Sequence, residues 1–230
     1  MNIKILHGTE GAKEAIGATV IIDVFRAFTV EAYIMNNGAK TIYPIGDASI
    51  AYDYKEKNND YVLVGERGGK IMPGFDFGNS PTSLENIDFT GKTILHTTSN
   101  GTQGIANAKN AEEILTGSLV NAKATVKYIK EKKFENVSLV CMGAGLKEQE
   151  EDNLCAYYMN ELLNGNEDVS IAKEIRRLKT TSGAKFFNKE LNEIFPEKDF
   201  YLSTEVDKFN FVLKVEKDEN EINYIRKIEL

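Results

Sequence analysis

Short apolar runs alternate with helical patterns along most of the chain. The run at 19–24 is apolar and contains a carboxylate, Asp23, which predicts a buried strand with an acid near its end. Further strands are predicted at 40–45, 61–64, 92–97, 113–116 and 137–142, with a terminal hairpin at 209–215 and 222–228. Helices are predicted at 27–35, from Asp47 or Ser49 to 57, from about 102 to 111, and at 120–132, 151–163, 171–178 and 186–195. This alternation ends in the last quarter, which favours an α/β layered protein with a mixed sheet.

Composition limits the classes of protein that fit. The chain has 230 residues, 42% hydrophobic and 27% charged, and shows neither a linker nor a repeat, so one globular domain over 1–230 is expected. Its net charge of −7 disfavours nucleic acid and anionic membranes as partners. An anionic ligand would therefore have to be bound by local positive charge from a few arginines, helix N-termini or a metal ion.

The two cysteines, Cys141 and Cys155, are too few for a disulfide framework or a zinc cluster. Buried thiols and a cytoplasmic location are expected, since no signal peptide or membrane-spanning run is visible. His7 and His96 are the only histidines, and a histidine in a strand is more often a core residue than a catalytic one.

Charged and glycine-rich segments follow several predicted strands. Asp23 and Arg26 follow the first of these, Glu66 and Arg67 follow the strand at 61–64, and a Gly-Ala-Gly run precedes Glu148, Glu151 and Asp152. Ligands of open α/β sheets bind at the carboxyl ends of strands, so these segments predict a site for phosphate and a metal. The loop at 65–81, with five glycines, is long enough to suggest a functional role.

Each of these residues also has a purely structural interpretation. A buried Asp23 could bind magnesium, pair with Arg26 or cap a helix. Arg26 and Arg67 could bind phosphate or sulfonate, or pair with Glu66 or Asp76.

The turn at 98–102 could form an anion cradle or be an ordinary capped turn. Glu151 and Asp152 could serve a metal or proton transfer, or simply favour the first turn of a helix. Signatures of cysteine phosphatases, P-loops, kinases and aspartyl-phosphate phosphatases are not met.

Taken together, seven segments in order resemble the 2-phosphosulfolactate phosphatase (ComB) family. They lie at 20–27, 65–69, 74–81, 97–102, 117–122, 140–143 and 151–156. The resemblance implies a three-layer α/β/α fold with a mixed, largely parallel sheet. It also implies a magnesium-dependent phosphatase that hydrolyses (R)-2-phospho-3-sulfolactate to 3-sulfolactate and phosphate in coenzyme M biosynthesis. The partner would be a small anionic phosphorylated metabolite, and a homodimer is an open alternative to a monomer.

On this resemblance the site residues take four roles. The magnesium ligands would be Asp23, Glu66, Glu151 and Asp152. Arg26 and Arg67 would offset substrate charge, and the acid that protonates the leaving group would be Glu66, Asp76 or Asp152. The remaining cradle would come from Asn79, Ser80, Ser99, Asn100, Gly101 and Thr102. Two alternatives stay open: a phosphatase for another phosphorylated hydroxy acid, and a non-catalytic anion-binding relative.

Overall fold

The computed structural model describes residues 1–143 and 149–230, so Glu148 and the last two residues of the Gly-Ala-Gly run lie outside the described residues. The strands of the described part are β1 (Asn2–His7), β2 (Gly17–Ile22), β3 (Thr41–Pro44), β4 (Val62–Arg67), β5 (Lys70–Ile71), β6 (Thr93–Thr97), β7 (Ala111–Gly117), β8 (Asn136–Cys141), β9 (Phe211–Lys217) and β10 (Asn223–Glu229). The α-helices are α1 (Gly8–Glu14), α2 (Ala27–Asn36), α3 (Ala48–Lys57), α4 (Pro81–Leu84), α5 (Gly101–Asn107), α6 (Ala122–Lys132), α7 (Glu150–Leu163), α8 (Ala172–Leu178) and α9 (Glu197–Ser203).

All ten strands form one mixed sheet, in the order β1-β8-β2-β7-β9-β10-β3-β6-β4-β5. β1, β8, β2 and β7 pair in parallel, and so do β3, β6 and β4. The antiparallel hairpin β9–β10 joins these two blocks, and it pairs antiparallel to β7 on one side and to β3 on the other. The two parallel blocks therefore run in opposite directions.

Both faces of the sheet are covered. Along β2, Val20 and Ile22 pack into one apolar cluster with residues of α6 and α7, whereas Ile21 packs into a second cluster with residues of α2 and α5. Successive side chains of a strand point to opposite faces, so helices cover the sheet on each side. The structure thus confirms the α/β class with a mixed, largely parallel sheet in three layers.

The sheet curls around α2. Residues 27–35 of this helix are all buried, as expected of a helix enclosed on every side. Its Glu31 accepts a hydrogen bond from Thr116 Oγ1 on β7 (3.3 Å), and its other oxygen lies 2.9 Å from His96 Nδ1 on β6. These two strands are four positions apart, which in a flat sheet is about 19 Å. One carboxylate can reach both strands only because the sheet bends, and this brings the two blocks together.

Most predicted elements are confirmed within a few residues, including the terminal hairpin. The predicted helix at 186–195 is wrong: this segment contains short 3-10 turns at Ala184–Phe187 and Lys189–Leu191. Sequence analysis also missed β1, β5, α1, α4 and α9. Cys141 and Cys155 are buried and neither forms a disulfide, as expected. In the described part of the chain, no helix is long and apolar enough to cross a membrane.

Candidate active site

Asp152 connects the ends of two neighbouring strands. Its Oδ1 accepts a hydrogen bond from the Val24 backbone N–H (2.8 Å), just past β2, and its Oδ2 accepts one from the Gly143 N–H (3.0 Å), past β8. β2 and β8 are adjacent and parallel, so their carboxyl ends lie side by side. Asp152 therefore holds α7 against the sheet edge where Asp23 lies.

Three buried carboxylates, Asp23, Glu151 and Asp152, form an acidic cluster at this edge. Burial raises the pKa of Asp23 to about 7, although the Ala27 N–H that donates to its Oδ1 (3.2 Å) acts in the opposite direction. Burial, together with the nearby charges of Asp23 and Glu151, raises the pKa of Asp152 well above its usual range. Burial also raises the pKa of Glu151, although the nearby Ser182 hydroxyl acts in the opposite direction, and Glu151 Oε2 lies buried without a hydrogen bond of good geometry. Packed negative charge of this kind favours the binding of a cation.

The cluster fits the way proteins bind magnesium in one respect and not in another. Among residues 1–143 and 149–230, no three His, Cys, Asp or Glu side chains are arranged as a ready metal cage. Magnesium seldom needs such a cage, because it binds one or two carboxylates and keeps water and substrate phosphate as its other ligands. The unpartnered oxygen of Glu151 and the repulsion within the acidic cluster are compatible with that mode. Magnesium itself stays a prediction.

Arg26 lies in a buried ion pair with an acid that the sequence analysis did not identify. Its Nη1 donates to Asp199 Oδ2 (2.5 Å) and to the Ile194 carbonyl (3.0 Å), and its guanidinium lies 4.8 Å from the centre of the Phe195 ring. The other oxygen of Asp199 accepts hydrogen bonds from Ser80 Oγ (2.8 Å) and from the Thr82 N–H (2.9 Å). Neither Glu66 nor Asp76 is the partner of Arg26, so the structural interpretation holds with a different acid.

Glu66 links two loops. Its Oε2 accepts a hydrogen bond from the Gly69 N–H (2.7 Å), and its Oε1 accepts from the N–H (3.1 Å) and hydroxyl (2.9 Å) of Ser99. Its charge also contributes to the raised pKa of Asp23, after burial and the charge of Glu151. Arg67 donates to the backbone carbonyls of Glu66 (2.8 Å) and Gly46 (3.0 Å). Both residues thus hold the loops beside the acidic cluster.

The turn at 98–102 packs against the first turn of α2. A Cβ at Gly101 would lie 2.9 Å from the Phe28 ring and 3.4 Å from the Ala27 Cβ, so only glycine allows this approach. Asn100 precedes α5, and the Thr102 hydroxyl donates to the Thr98 carbonyl (3.3 Å). The structure therefore places this turn near the start of α2, which begins four residues after Asp23.

Arg26 also lines a cavity of about 570 Å³. Asn79 and Ser80 line it, and Asn79 Oδ1 lies 3.2 Å from Nε2 of the buried His96. Asp76 does not join these residues: it is exposed, accepts a hydrogen bond from the Leu63 N–H (2.8 Å) and lies 3.7 Å from Lys55. His96 is a core residue, as its position in a strand suggested.

Lys185, like Asp199, is a residue near this site that sequence analysis missed. Its ammonium nitrogen lies 5.2 Å from the ring centre of Phe195, 5.4 Å from that of Phe186 and 6.0 Å from that of Phe25. Burial lowers its pKa, while the charges of Glu151, Asp23 and Asp152 act in the opposite direction. The only signal in the sequence was a lysine directly before two phenylalanines, one residue before the segment at 186–195 that was wrongly predicted as a helix.

Comparison with known proteins agrees with the resemblance seen in the sequence. A family model described as 2-phosphosulpholactate phosphatase matches residues 5–218. A protein of Bacillus subtilis described as a probable 2-phosphosulfolactate phosphatase is 32% identical over 218 residues, which is 95% of each chain. Proteins with the same description from Caldicellulosiruptor saccharolyticus and Carboxydothermus hydrogenoformans are 38% and 37% identical, over 68% and 76% of this chain and 69% and 72% of theirs. The chain belongs to the 2-phosphosulfolactate phosphatase family, whose members are phosphoric monoester hydrolases.

Proposed function

We propose that this protein hydrolyses (R)-2-phospho-3-sulfolactate to 3-sulfolactate and phosphate in a magnesium-dependent reaction. The observation that supports it is the acidic cluster of Asp23, Glu151 and Asp152, whose negative charge is suited to a metal that would bind phosphate. A cytoplasmic location and a role in coenzyme M biosynthesis belong to the same proposal and follow from the family resemblance.

Asp23 and Glu151 are the ligands assigned to magnesium. No hydrogen bond within the described residues reaches Asp23 Oδ2, and Glu151 Oε2 is likewise without a partner, so each offers an oxygen. Both oxygens of Asp152 accept backbone hydrogen bonds, which suits a role in holding the two strand ends in place. When bound, magnesium supplies positive charge to the phosphoryl oxygens and orients the attacking water.

Arg26 and Glu66 are assigned roles other than binding magnesium. Arg26 is held by Asp199 and lies at the wall of the cavity, where the carboxylate and sulfonate groups of the substrate need compensating charge. Both oxygens of Glu66 are acceptors, so it keeps the loop at 65–69 joined to the turn at 98–102. Glu66 and Asp152, as engaged acceptors, are poorly suited to donate a proton to the leaving group.

The substrate assignment is tested by measuring phosphate release from a panel of phosphorylated hydroxy acids. The panel contains (R)-2-phospho-3-sulfolactate, 2-phospholactate and phosphoglycolate, each with magnesium and with EDTA. We expect the highest kcat/KM for phosphosulfolactate and loss of turnover in EDTA. Faster turnover of phospholactate would contradict the substrate, and undiminished turnover in EDTA would contradict the metal. Absence of phosphate release under every condition would favour an anion-binding role.

The site assignment is tested with Asp23→Asn, which keeps the size of the side chain and removes its charge. Loss of one charged contact to the transition state lowers the rate by about 10²–10³, and we expect a fall of that order in kcat. Asp53→Asn is the control, because no role in the site is assigned to this residue on α3. Turnover of Asp23→Asn within twofold of the wild type would show that Asp23 has no part in the reaction.

A further inference from the structure

Lys185 has an unusual combination of neighbours. Three aromatic rings, those of Phe25, Phe186 and Phe195, lie within 6.0 Å of its ammonium nitrogen. Within the described residues, no oxygen accepts a hydrogen bond from this ammonium, although it has three N–H donors. Lys185 is half-buried, and its ammonium contacts ring faces and no hydrogen-bond acceptor of the described residues, so its N–H donors are available to an anionic ligand.

The nearest acids influence Lys185 without pairing with it. The charge of Glu151 acts on Lys185 more strongly than that of any other neighbour, ahead of Arg26, Asp23 and Asp152. No ion pair within 4.0 Å joins Lys185 and Glu151, and Glu151 Oε2 is itself buried without a hydrogen-bond partner. Because these two opposite charges act on one another without direct contact, a bound group could contact both.

Arg26 is less able to supply positive charge to a bound group. Its charge is already matched at 2.5 Å by Asp199, and the same Nη1 also donates to the Ile194 carbonyl. Lys185 therefore supplies a positive charge beside the acidic cluster that no acid of the described residues contacts directly.

We propose that Lys185 is a substrate-binding residue whose ammonium contacts the phosphoryl group between the ring faces and the acidic cluster. The proposal rests on the function proposed above, since it assigns a phosphorylated ligand to this edge of the sheet. A phosphoryl group bound there would be contacted by Lys185 on one side and, through the metal, by Asp23 and Glu151 on the other. Lysine is suited to this task as a compact point charge that follows a phosphoryl oxygen.

The proposal is tested by binding of inorganic phosphate to the magnesium-loaded protein, measured by calorimetry. The variants are Lys185→Met, which keeps the length of the side chain, and Lys185→Arg, which keeps the charge. Lys189→Met is the control, because this exposed lysine lies in the next 3-10 turn. We expect Lys185→Met to weaken phosphate binding about 10- to 100-fold, the usual loss for one charged hydrogen bond. Lys185→Arg should recover a large part of this loss, and Lys189→Met should match the wild type.

Binding separates this proposal from the function on which it rests, because phosphate binding needs no turnover. Unchanged phosphate affinity in Lys185→Met, with thermal stability retained, would overturn the proposal even if the wild type is an active phosphatase. If the wild type hydrolyses nothing on the panel and Lys185→Met still binds phosphate more weakly than the wild type, the role of Lys185 is supported and the proposed activity is rejected. If Lys185→Met weakens binding of 3-sulfolactate and leaves phosphate affinity intact, Lys185 contacts an acid group and the phosphoryl assignment is wrong.

Discussion

Replacing Asp199 should destabilise the protein strongly, because three groups depend on this fully buried carboxylate. It accepts hydrogen bonds from Arg26 Nη1 (2.5 Å), Ser80 Oγ (2.8 Å) and the Thr82 N–H (2.9 Å), and both partners of its ion pair are almost completely buried. Breaking a buried ion pair by removing one partner costs about 3–5 kcal/mol, because the other charge stays buried and unpaired. A domain of ordinary stability has about 5–15 kcal/mol in total, so Asp199→Ala should lose a large share of it.

Urea unfolding measures this loss, and a double-mutant cycle separates its parts. Asp199→Ala and Arg26→Met should each be strongly destabilising, whereas the double variant should lose less than the sum, because neither charge is then left alone. The control is Glu205→Ala: Glu205 pairs with Lys208 at the surface, and loss of an exposed pair costs about 1 kcal/mol or less. A loss below 1 kcal/mol for Asp199→Ala, or strict additivity in the cycle, would refute the reasoning.

Two further predictions concern the pH dependence of stability and the path of the chain beside β8. Asp23 has a pKa of about 7 in the folded protein against an ordinary value of 3.8. Between pH 3.8 and pH 7, folding therefore takes up a proton, and the free energy of unfolding falls as the pH rises. In EDTA, the thermal midpoint should fall from pH 5 to pH 8 by the equivalent of about 3 kcal/mol, less so in Asp23→Asn, and a flat or rising midpoint would contradict this. Gly17→Ala should cost about 2 kcal/mol or more in urea unfolding, because φ is +69° and its Cβ would lie 2.0 Å from the Asn136 carbonyl oxygen. Gly165→Ala, with φ +91° and nothing within 4 Å, controls for backbone strain alone, and equal losses in both variants would exclude the clash.

Elements of the fold were predictable where the pattern within a short segment is enough to define a strand or helix. The apolar run at 19–24 and the periodic pattern at 151–163 depend on neighbours a few residues away, and β2 and α7 are found there. The segment at 184–195 was not predictable in this way, because its aromatic residues resemble a helical face and instead pack around Arg26 and Lys185. The exposed edge strand β1 was missed because it has only a weak apolar pattern.

The candidate site was predictable in its residue types and only partly in its pairings. Asp23, Glu151 and Asp152 were identified from strand ends and a helix start, and the structure brings them together with Glu66 and the turn at 98–102. Asp76 carries the same carboxylate but lies exposed beside Lys55. A strand end indicates which residues are available for a site, and their distance from one another depends on how the strands are ordered and bent.

The sequence by itself determined the layered α/β class, the absence of a disulfide framework, the family, and the acids available for a metal. Only the tertiary structure decided that Arg26 pairs with Asp199, 173 positions away, and that Lys185 lies close enough for the charges of Glu151, Asp23 and Asp152 to act on it. It also decided that two parallel blocks running in opposite directions meet around α2. The physical reason is that periodicity and capping act over a few residues, whereas the partner of a buried charge is chosen by the packing that excludes water around it.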